Sequence, residues 1–317
     1  MKTAEETERG VLRELREDGR MSYTDVARRL GVPRQTVAEI VAAALAQNRM
    51  RITATVHPGL MGITRYSYIL IATSAPSGPI LRQLAEIPET CFVSAIAGSY
   101  DVDTEVRVGS DAQHQEVLNR IRSIPGVNEL NCNSYERIVV NIDSPLPEVG
   151  GAPLRIDDAD RRMLLALERD GRATFRELGV AAGVSAASAR NRLQRLRHMR
   201  AVKIVGLPVR DQQEGPPPLG LGIRVRGDLE AALAPIRAIE PEFLAVSTGN
   251  YDLIGTVSAD THAALLAKLD ALHGIEQVSS VDSWSHLRIS KELYGFSESA
   301  GGVDAAPGPR VAAPRPH

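Results

Sequence analysis

The stretch from Asp170 to Lys203, DGRATFRELGVAAGVSAASARNRLQRLRHMRAVK, predicts two short helices joined by a tight turn. Thr174 is placed to cap the first helix, because its side-chain oxygen can accept from the free N–H groups of the first turn. Gly183 is expected to end that helix, since glycine readily adopts the left-handed conformation of a helix C-terminus. Ser185 then caps a second helix with apolar residues spaced four and three apart. This order is typical of a helix-turn-helix, whose second helix enters the DNA major groove.

The second helix of this stretch is strongly basic. From Ser185 to Lys203 the sequence has five arginines, one lysine and no acidic residue. A basic face without acids suits the neutralisation of DNA phosphates, whereas a merely solvated helix usually mixes both signs. A solvated amphipathic hairpin is the alternative interpretation. The predicted DNA contacts of this helix are Ser185, Ser188, Arg190, Arg192 and Arg195.

The same pattern occurs earlier in the chain, from Asp18 to Arg51, as DGRMSYTDVARRLGVPRQTVAEIVAAALAQNRMR. Two further stretches, Gly98-Ser-Tyr100-Asp101 and Gly249-Asn-Tyr251-Asp252, match each other at almost the same separation. A period of about 150 residues is far too long for a solenoid, so it indicates duplication of a whole two-part unit.

The first copy offers fewer DNA contacts than the second. Its candidates are Arg34, Gln35 and Thr36, and Ile40 stands where the second copy has Arg192. Because DNA sites mirror the symmetry of the helices that read them, two different helices predict two different half-sites. We expect the half read by the first copy to be the weaker one.

Each helix-turn-helix is followed by a β-α-β-β-α-β pattern, which predicts a ferredoxin-like sandwich. The fold class is therefore α+β, with two winged helix-turn-helix modules alternating with two ferredoxin-like βαββαβ domains. We expect residues 65–142 and 220–290 to pair face to face as an intramolecular pseudo-dimer, because each open sheet face needs cover. The expected boundaries are 1–52, 53–143, a linker at 144–153, 154–206, 207–297 and a disordered tail at 298–317.

Composition indicates a cytoplasmic protein with alternating charge. Residues 151–204 carry 12 basic and 6 acidic side chains, whereas residues 205–297 carry 7 and 12. Acidic companion domains would be repelled by DNA and would leave the helix-turn-helix face to approach it. We expect no signal peptide and no membrane partner. Cys91 and Cys132 are the only cysteines, and we interpret both as small core residues of a cytosolic protein.

Signatures of enzymes are weak. The seven histidines form no pair with metal-ligand spacing, and Leu219-Gly-Leu-Gly222 lacks the lysine of a phosphate loop. The sequence therefore predicts no catalytic residue, no metal and no cofactor.

In its DGR motifs, its helix-turn-helix segments and its Gly-x-Tyr-Asp turns, the chain resembles the Lrp/AsnC family of prokaryotic transcription regulators. The resemblance implies binding to double-stranded DNA, a response to a small-molecule effector such as an amino acid, and dimerisation. Most members are single units, so the duplication departs from the family, and it leaves assembly into a higher homo-oligomer open. Sirohaem decarboxylases resemble the same family, and an enzyme of that type is the alternative function.

The resemblance points to the Gly-x-Tyr-Asp turns as the effector site. The predicted effector-binding residues are Gly98, Tyr100, Asp101, Gly249, Tyr251 and Asp252. The glycines allow close approach of a ligand and turn N–H groups can hold a carboxylate, while the aspartates could hold an ammonium group. The alternative is that each turn only joins two strands, with its tyrosine packed at the sheet edge.

Overall fold

The computed structural model describes residues 3–146, 155–209 and 216–293. Most of the expected linker and the whole of the expected tail at 298–317 lie outside the described residues. In chain order the helices and strands are α1 (Ala4–Glu17), α2 (Tyr23–Leu30), α3 (Arg34–Ala46), β1 (Met50–Val56), β2 (Arg65–Thr73), α4 (Ser77–Glu86), β3 (Thr90–Ala97), β4 (Val102–Val108), α5 (Asp111–Arg122), β5 (Val127–Asn141), α6 (Asp158–Arg169), α7 (Phe175–Ala182), α8 (Ala186–His198), β6 (Val202–Pro208), β7 (Leu219–Val225), α9 (Leu229–Arg237), β8 (Phe243–Thr248), β9 (Leu253–Val257), α10 (His262–His273) and β10 (Val278–Glu292).

The local signals of the second helix-turn-helix are confirmed. Thr174 caps α7 by accepting from the N–H of Glu177, whose carboxylate accepts in turn from the N–H of Thr174. Gly183 ends α7 with a φ of 71°, and Ser185 caps α8 by accepting from the N–H of Ser188. These contacts satisfy backbone groups that a helix end leaves free. They set the angle at which α8 leaves the turn.

The two helix-turn-helix modules form one unit with a single hydrophobic core. Leu15 of α1 and Leu167 of α6 are both fully buried in it. Strand β1 pairs antiparallel with β6, from Met50 opposite Pro208 to Val56 opposite Val202. Strands β1 and β6, which follow the two helix-turn-helix segments, therefore pair with each other and not within their own modules. Both strands cross the expected domain boundaries at 52 and 206.

The two ferredoxin-like domains share one closed eight-stranded barrel, with the strand order β10-β3-β4-β2-β5-β8-β9-β7. The helices pack on the sheet and form a separate apolar core in each domain. The α+β fold with two βαββαβ units is therefore confirmed.

The domains also join edge to edge, in addition to the face-to-face packing expected from the sequence, in which residues of both inner sheet faces share one buried cluster. Strand β5 pairs with β2 as far as Ser134 and continues from Ser134 along β8 of the other domain. Strand β10 does the same at Ser285, pairing first with β7 and then with β3. The cause is the length of these two strands, at 15 residues each. Each is long enough to complete the sheet of both domains, so the open sheet faces line the barrel interior.

Inside the barrel, aromatic side chains from both domains surround buried polar groups. Trp284, Tyr68 and Tyr251 are each less than a tenth exposed and belong to one cluster. The indole N–H of Trp284 lies 3.1 Å from both the Tyr68 hydroxyl and an Asp103 carboxylate oxygen. Burial and the charge of Asp103 raise the pKa of Tyr68 well above its ordinary value. Both domains thus contribute to a single polar interior.

Candidate functional site

Helix α8 presents its N-terminus and one long face to solvent. Ala189, Leu193 and Leu196 are buried in the shared core. The side chains opposite them are exposed, and they are Ala187, Asn191, Gln194 and His198. Asn191 and Gln194 are not predicted from the charge pattern, because neither is charged, although the spacing of the buried residues points to the opposite face. Asn and Gln side chains can form paired hydrogen bonds with adenine in the major groove.

Several arginines of α8 are engaged within the protein. Arg192 donates to Asp157 at 2.7 and 2.9 Å and to Asp160 at 2.9 Å, and Arg195 also pairs with Asp160. Asp160 is completely buried. The basic face therefore has acidic partners after all, but they lie at the start of α6 rather than on α8. Base contacts by Arg192 and Arg195 would first require these ion pairs to break.

The remaining predicted contacts of α8 stay at the surface. Arg190 lies over the ring of Phe175, 5.3 Å from its centroid, and its side chain is exposed. Ser185 is exposed, and its hydroxyl oxygen accepts the capping bond, so its proton remains able to bind a phosphate oxygen. Ser188 is half-buried one turn further on. Arg190 and Ser185 thus flank the exposed face rather than occupy its centre.

Helix α3 presents a different face at the equivalent positions. Arg34 and Gln35 are exposed, whereas Thr36 is half-buried. The amide nitrogen of Gln35 donates to Glu39 at 2.9 Å, and Glu39 stands where α8 has Asn191. Ala42 corresponds to Gln194. An acidic and small-residue face is poorly suited to the negatively charged DNA groove.

In each Gly-x-Tyr-Asp turn the aspartate side chain accepts a hydrogen bond from the backbone at the end of a neighbouring strand. A carboxylate oxygen of Asp101 accepts from the N–H of Thr73, and one of Asp252 accepts from the N–H of Val225, both at 2.7 Å. The two copies make the same contact, so the turns share a structural task. This geometry favours the alternative in which the turns join strands.

The tyrosines and glycines of these turns contact β5 and β10, the strands that join the two domains. Tyr251 is buried, and its hydroxyl donates to Asp282 at 2.9 Å, whereas Tyr100 is half-buried and accepts from Asn131 at 2.9 Å. Gly249 has a φ of 146°, and a side chain there would meet the carbonyl oxygen of Cys132 at 2.7 Å. Gly98 packs against Trp284, and a Cβ at position 98 would lie 3.0 Å from the Cβ of Trp284. None of the six residues lines the cavity described next.

A cavity lies within the barrel instead, between the two domains. Its volume is about 70 Å³. Its charged and ionisable lining residues are Glu105, Arg107, Asp143, Glu242, His286 and Glu292, and its aromatic lining residues are Tyr68, Phe92, Tyr135 and Phe243. No motif in the sequence marks this cavity, because it exists only once the long strands have joined the two domains.

The two cysteines belong to strands β3 and β5. Cys91 is buried with its thiol 3.2 Å from a Glu105 oxygen, and burial raises the pKa of that thiol; Cys132 is half-buried. Within residues 3–146, 155–209 and 216–293, no three His, Cys, Asp or Glu side chains are grouped so that they could hold a metal ion. Over the same residues, no helix is both long and apolar enough to cross a membrane.

Comparison with known proteins agrees with this architecture. The AsnC-type helix-turn-helix domain matches residues 6–42 and 156–197. An uncharacterised HTH-type transcriptional regulator of Pyrococcus abyssi is 32% identical over 127 residues, which is 39% of this chain and 80% of that protein. The HTH-type transcriptional regulator FL11 of Pyrococcus furiosus is 26% identical over 140 residues, covering 43% of this chain and 93% of that protein.

The helix-turn-helix domain thus matches twice, and each of these transcriptional regulators aligns with about two fifths of the chain. The chain belongs to the Lrp/AsnC family of transcription regulators, in a tandem form. Among solved structures, the siroheme decarboxylase NirDL superposes with a TM-score of 0.59, covering 92% of this chain and 95% of that one at 12% identity. At that identity the likeness shows the fold alone.

Proposed function

We propose that this protein binds double-stranded DNA sequence-specifically, with α8 as the leading recognition helix. The observation that carries the proposal is the exposed face of α8, where Asn191 and Gln194 are free to contact base edges. Arg190 and Ser185 flank this face and are placed for phosphates, which position a helix without specifying sequence. Arg34 and Gln35 of α3 would make the weaker contact.

The shared core of the two modules determines how α3 and α8 are presented to DNA. Because β1–β6 pairing joins the modules, α3 and α8 are presented together by one chain, as two identical helices are presented by a dimer. Their exposed faces differ, so the proposed DNA site is not palindromic. In a prokaryotic cell the chromosomal DNA lies in the cytoplasm, so a cytoplasmic location is part of the proposal.

The test compares equivalent positions of the two helices. Replacing Asn191 and Gln194 by alanine should weaken specific binding by about 1–3 kcal/mol per lost base contact and leave the salt dependence unchanged. Arg190→Ala should instead weaken binding to all sequences and reduce the salt slope by about one. The matched control is Glu39→Ala in α3, which should bind DNA equally well or more tightly, since it removes a negative charge. Equal losses in both helices would contradict an α8-led site.

We further propose that a small metabolite, of the amino-acid type or related to it, regulates the protein. The support is the internal cavity that both domains line. A thermal-shift screen with the twenty amino acids tests this, since a ligand at 100 times its Kd should add about 2.7 kcal/mol of stability. A ligand that still stabilises an Asp101→Ala, Asp252→Ala double variant binds away from the turns.

The whole-chain superposition on NirDL favours one second candidate, an enzyme that acts on sirohaem. The regulator is better supported, because the curated relatives reported above are named as regulators. Mixing the purified protein with sirohaem separates the two: a stoichiometric change in visible absorbance would favour the enzyme.

A further inference from the structure

The cavity inside the barrel has one corner where two carboxylates, those of Asp143 and Glu242, contribute to its lining. Arg107 and Glu105 neutralise each other, with the guanidinium Nε 2.6 Å from the carboxylate and both side chains less than a tenth exposed. We call Asp143 and Glu242 the carboxylate corner; Glu242 also accepts from the Ser258 hydroxyl, and the Lys203 ammonium group is close enough to Asp143 to interact with it electrostatically. The corner is bordered by Phe243, whose ring packs 5.4 Å from that of Tyr135.

An arginine from outside the barrel forms ion pairs with both carboxylates of this corner. Arg16 of α1 donates to both oxygens of Asp143 at 2.9 Å and to those of Glu242 at 2.6 and 3.0 Å. The three side chains are only 11 to 17% exposed. Burial alone would lower the pKa of Arg16, but Asp143 and Glu242 raise it, so the guanidinium stays charged. The chain itself therefore shows which chemical group the carboxylate corner binds.

The second copy of the duplicated unit lacks the residues for the same arrangement. In the second copy, Glu168 occupies the position equivalent to Arg16, and Cys91 is equivalent to Glu242. The ion pairs are therefore not a general means of joining a helix-turn-helix to its barrel. They connect α1 directly to residues that line the cavity.

We propose that the cavity binds a small organic cation, with a guanidinium or primary ammonium group, that competes with Arg16 for Asp143 and Glu242. The cavity volume of about 70 Å³ suits such a group with a few carbons, since one water needs about 10–15 Å³ on this measure. Aromatic walls add cation–π attraction. Release of Arg16 would loosen α1 from the barrel and so connect the cavity to the DNA-binding unit. This deepens the effector part of the proposed function and rests on it.

The protein contains its own reporter for this binding. Trp284 is the only tryptophan in the sequence, and its N–H bonds to Tyr68, which lines the cavity. The experiment titrates the full-length protein with agmatine, arginine and putrescine and follows tryptophan fluorescence, with leucine and glutamate as comparators. We expect a saturable change with the cations only.

Variants locate the site. Arg16→Ala should tighten agmatine binding several-fold because it removes the internal competitor, and Glu242→Gln should weaken it at least tenfold. Asp143→Asn is the second variant if Glu242→Gln melts early. The matched control is Glu14→Gln, whose carboxylate pairs with Arg29 at 2.8 Å on the same helix α1 and should leave agmatine binding unchanged.

A lack of saturable change with every cation, in both wild type and Arg16→Ala, would overturn the proposal. Equal binding of leucine or glutamate, or unweakened binding in both corner variants, would overturn it too. Because no DNA is present, failure of this titration leaves the DNA-binding proposal standing, and gel-shift failure leaves this one testable.

Discussion

Arg20 and Arg172 each bind the backbone of the other helix-turn-helix module. Arg20 donates to the carbonyl oxygens of Gly171 and Ala173 at 3.0 Å, and Arg172 donates to those of Gly19 and Met21 at 2.9 Å. The DGR motif that marks the repeat in the sequence thus provides one of the contacts that join the two copies, beside the β1–β6 pairing and the shared core. The contact is reciprocal, because each arginine binds the module to which the other belongs.

Loss of this contact should destabilise the helix-turn-helix pair. Arg172→Ala removes two charge-assisted hydrogen bonds and the stacking of its guanidinium 4.5 Å from the centre of the Tyr23 ring. We expect a loss of about 1–3 kcal/mol in the free energy of unfolding, measured by urea denaturation with far-UV circular dichroism. Arg176→Ala, an exposed arginine on α7, is the control and should stay within about 0.5 kcal/mol. If both variants unfold alike, the contact is not a stabilising one.

The pairing of Arg192 with Asp157 predicts a specific titration. The N–H of Asp160 and then the Arg192 guanidinium lower the pKa of Asp157 below its ordinary value of 3.8. The stability from a lowered carboxylate pKa is present above the unfolded value and is lost as the pH falls through the folded value. In Arg192→Ala the pKa of Asp157 should rise but stay below 3.8, as followed by carboxyl NMR.

The control for this titration is Arg197→Ala, whose guanidinium pairs with Asp18 at 2.9 Å. It should leave the pKa of Asp157 unchanged. An unmoved Asp157 pKa in Arg192→Ala would mean that Arg192 is not held by α6 in solution. It would then be available for DNA, as the sequence alone suggested.

Half of the chain should not be a stable monomer. Residues 1–146 end with β5 and would lose β8 and β10, leaving two sheet edges without backbone partners. Unpaired edges promote association. Light scattering after size exclusion should therefore show homodimers or aggregates of this half. A monomer that unfolds cooperatively would contradict the role assigned to the long strands β5 and β10, which join the two domains.

The turn aspartates should act on stability. Asp252→Ala leaves the N–H of Val225 without its acceptor, which should cost about 1–3 kcal/mol if that group stays buried. Thermal melting measures the loss, and Asp252→Asn, which keeps an acceptor oxygen, should recover most of it. An alanine variant that melts like wild type but no longer responds to an effector would restore the ligand-binding role predicted from the resemblance.

Local features of this fold could be predicted from the sequence, because neighbouring residues determine them. Thr174, Gly183 and Ser185 cap or end helices through contacts within a few positions. The βαββαβ order follows from periodicity and turns in the same way. The sequence correctly predicts turns at Gly98 and Gly249, while their use by a ligand stays a prediction.

Features that depend on distant pairing could not be predicted. Arg192 finds Asp157 and Asp160 at 35 and 32 residues' separation, and nothing on α8 indicates them. The extension of β5 and β10 into the sheet of the other domain depends on strand register between the two halves. The cavity and the Arg16 contact follow from that pairing, so they too required the structure.

Selection of bound duplexes from a random DNA pool by the full-length protein tests the central claim most directly. An α8-led site predicts an enriched motif that is not palindromic, with one strong half whose sequence preference is lost in the Asn191→Ala, Gln194→Ala variant. A palindromic motif, or no enrichment over the starting pool, would contradict it.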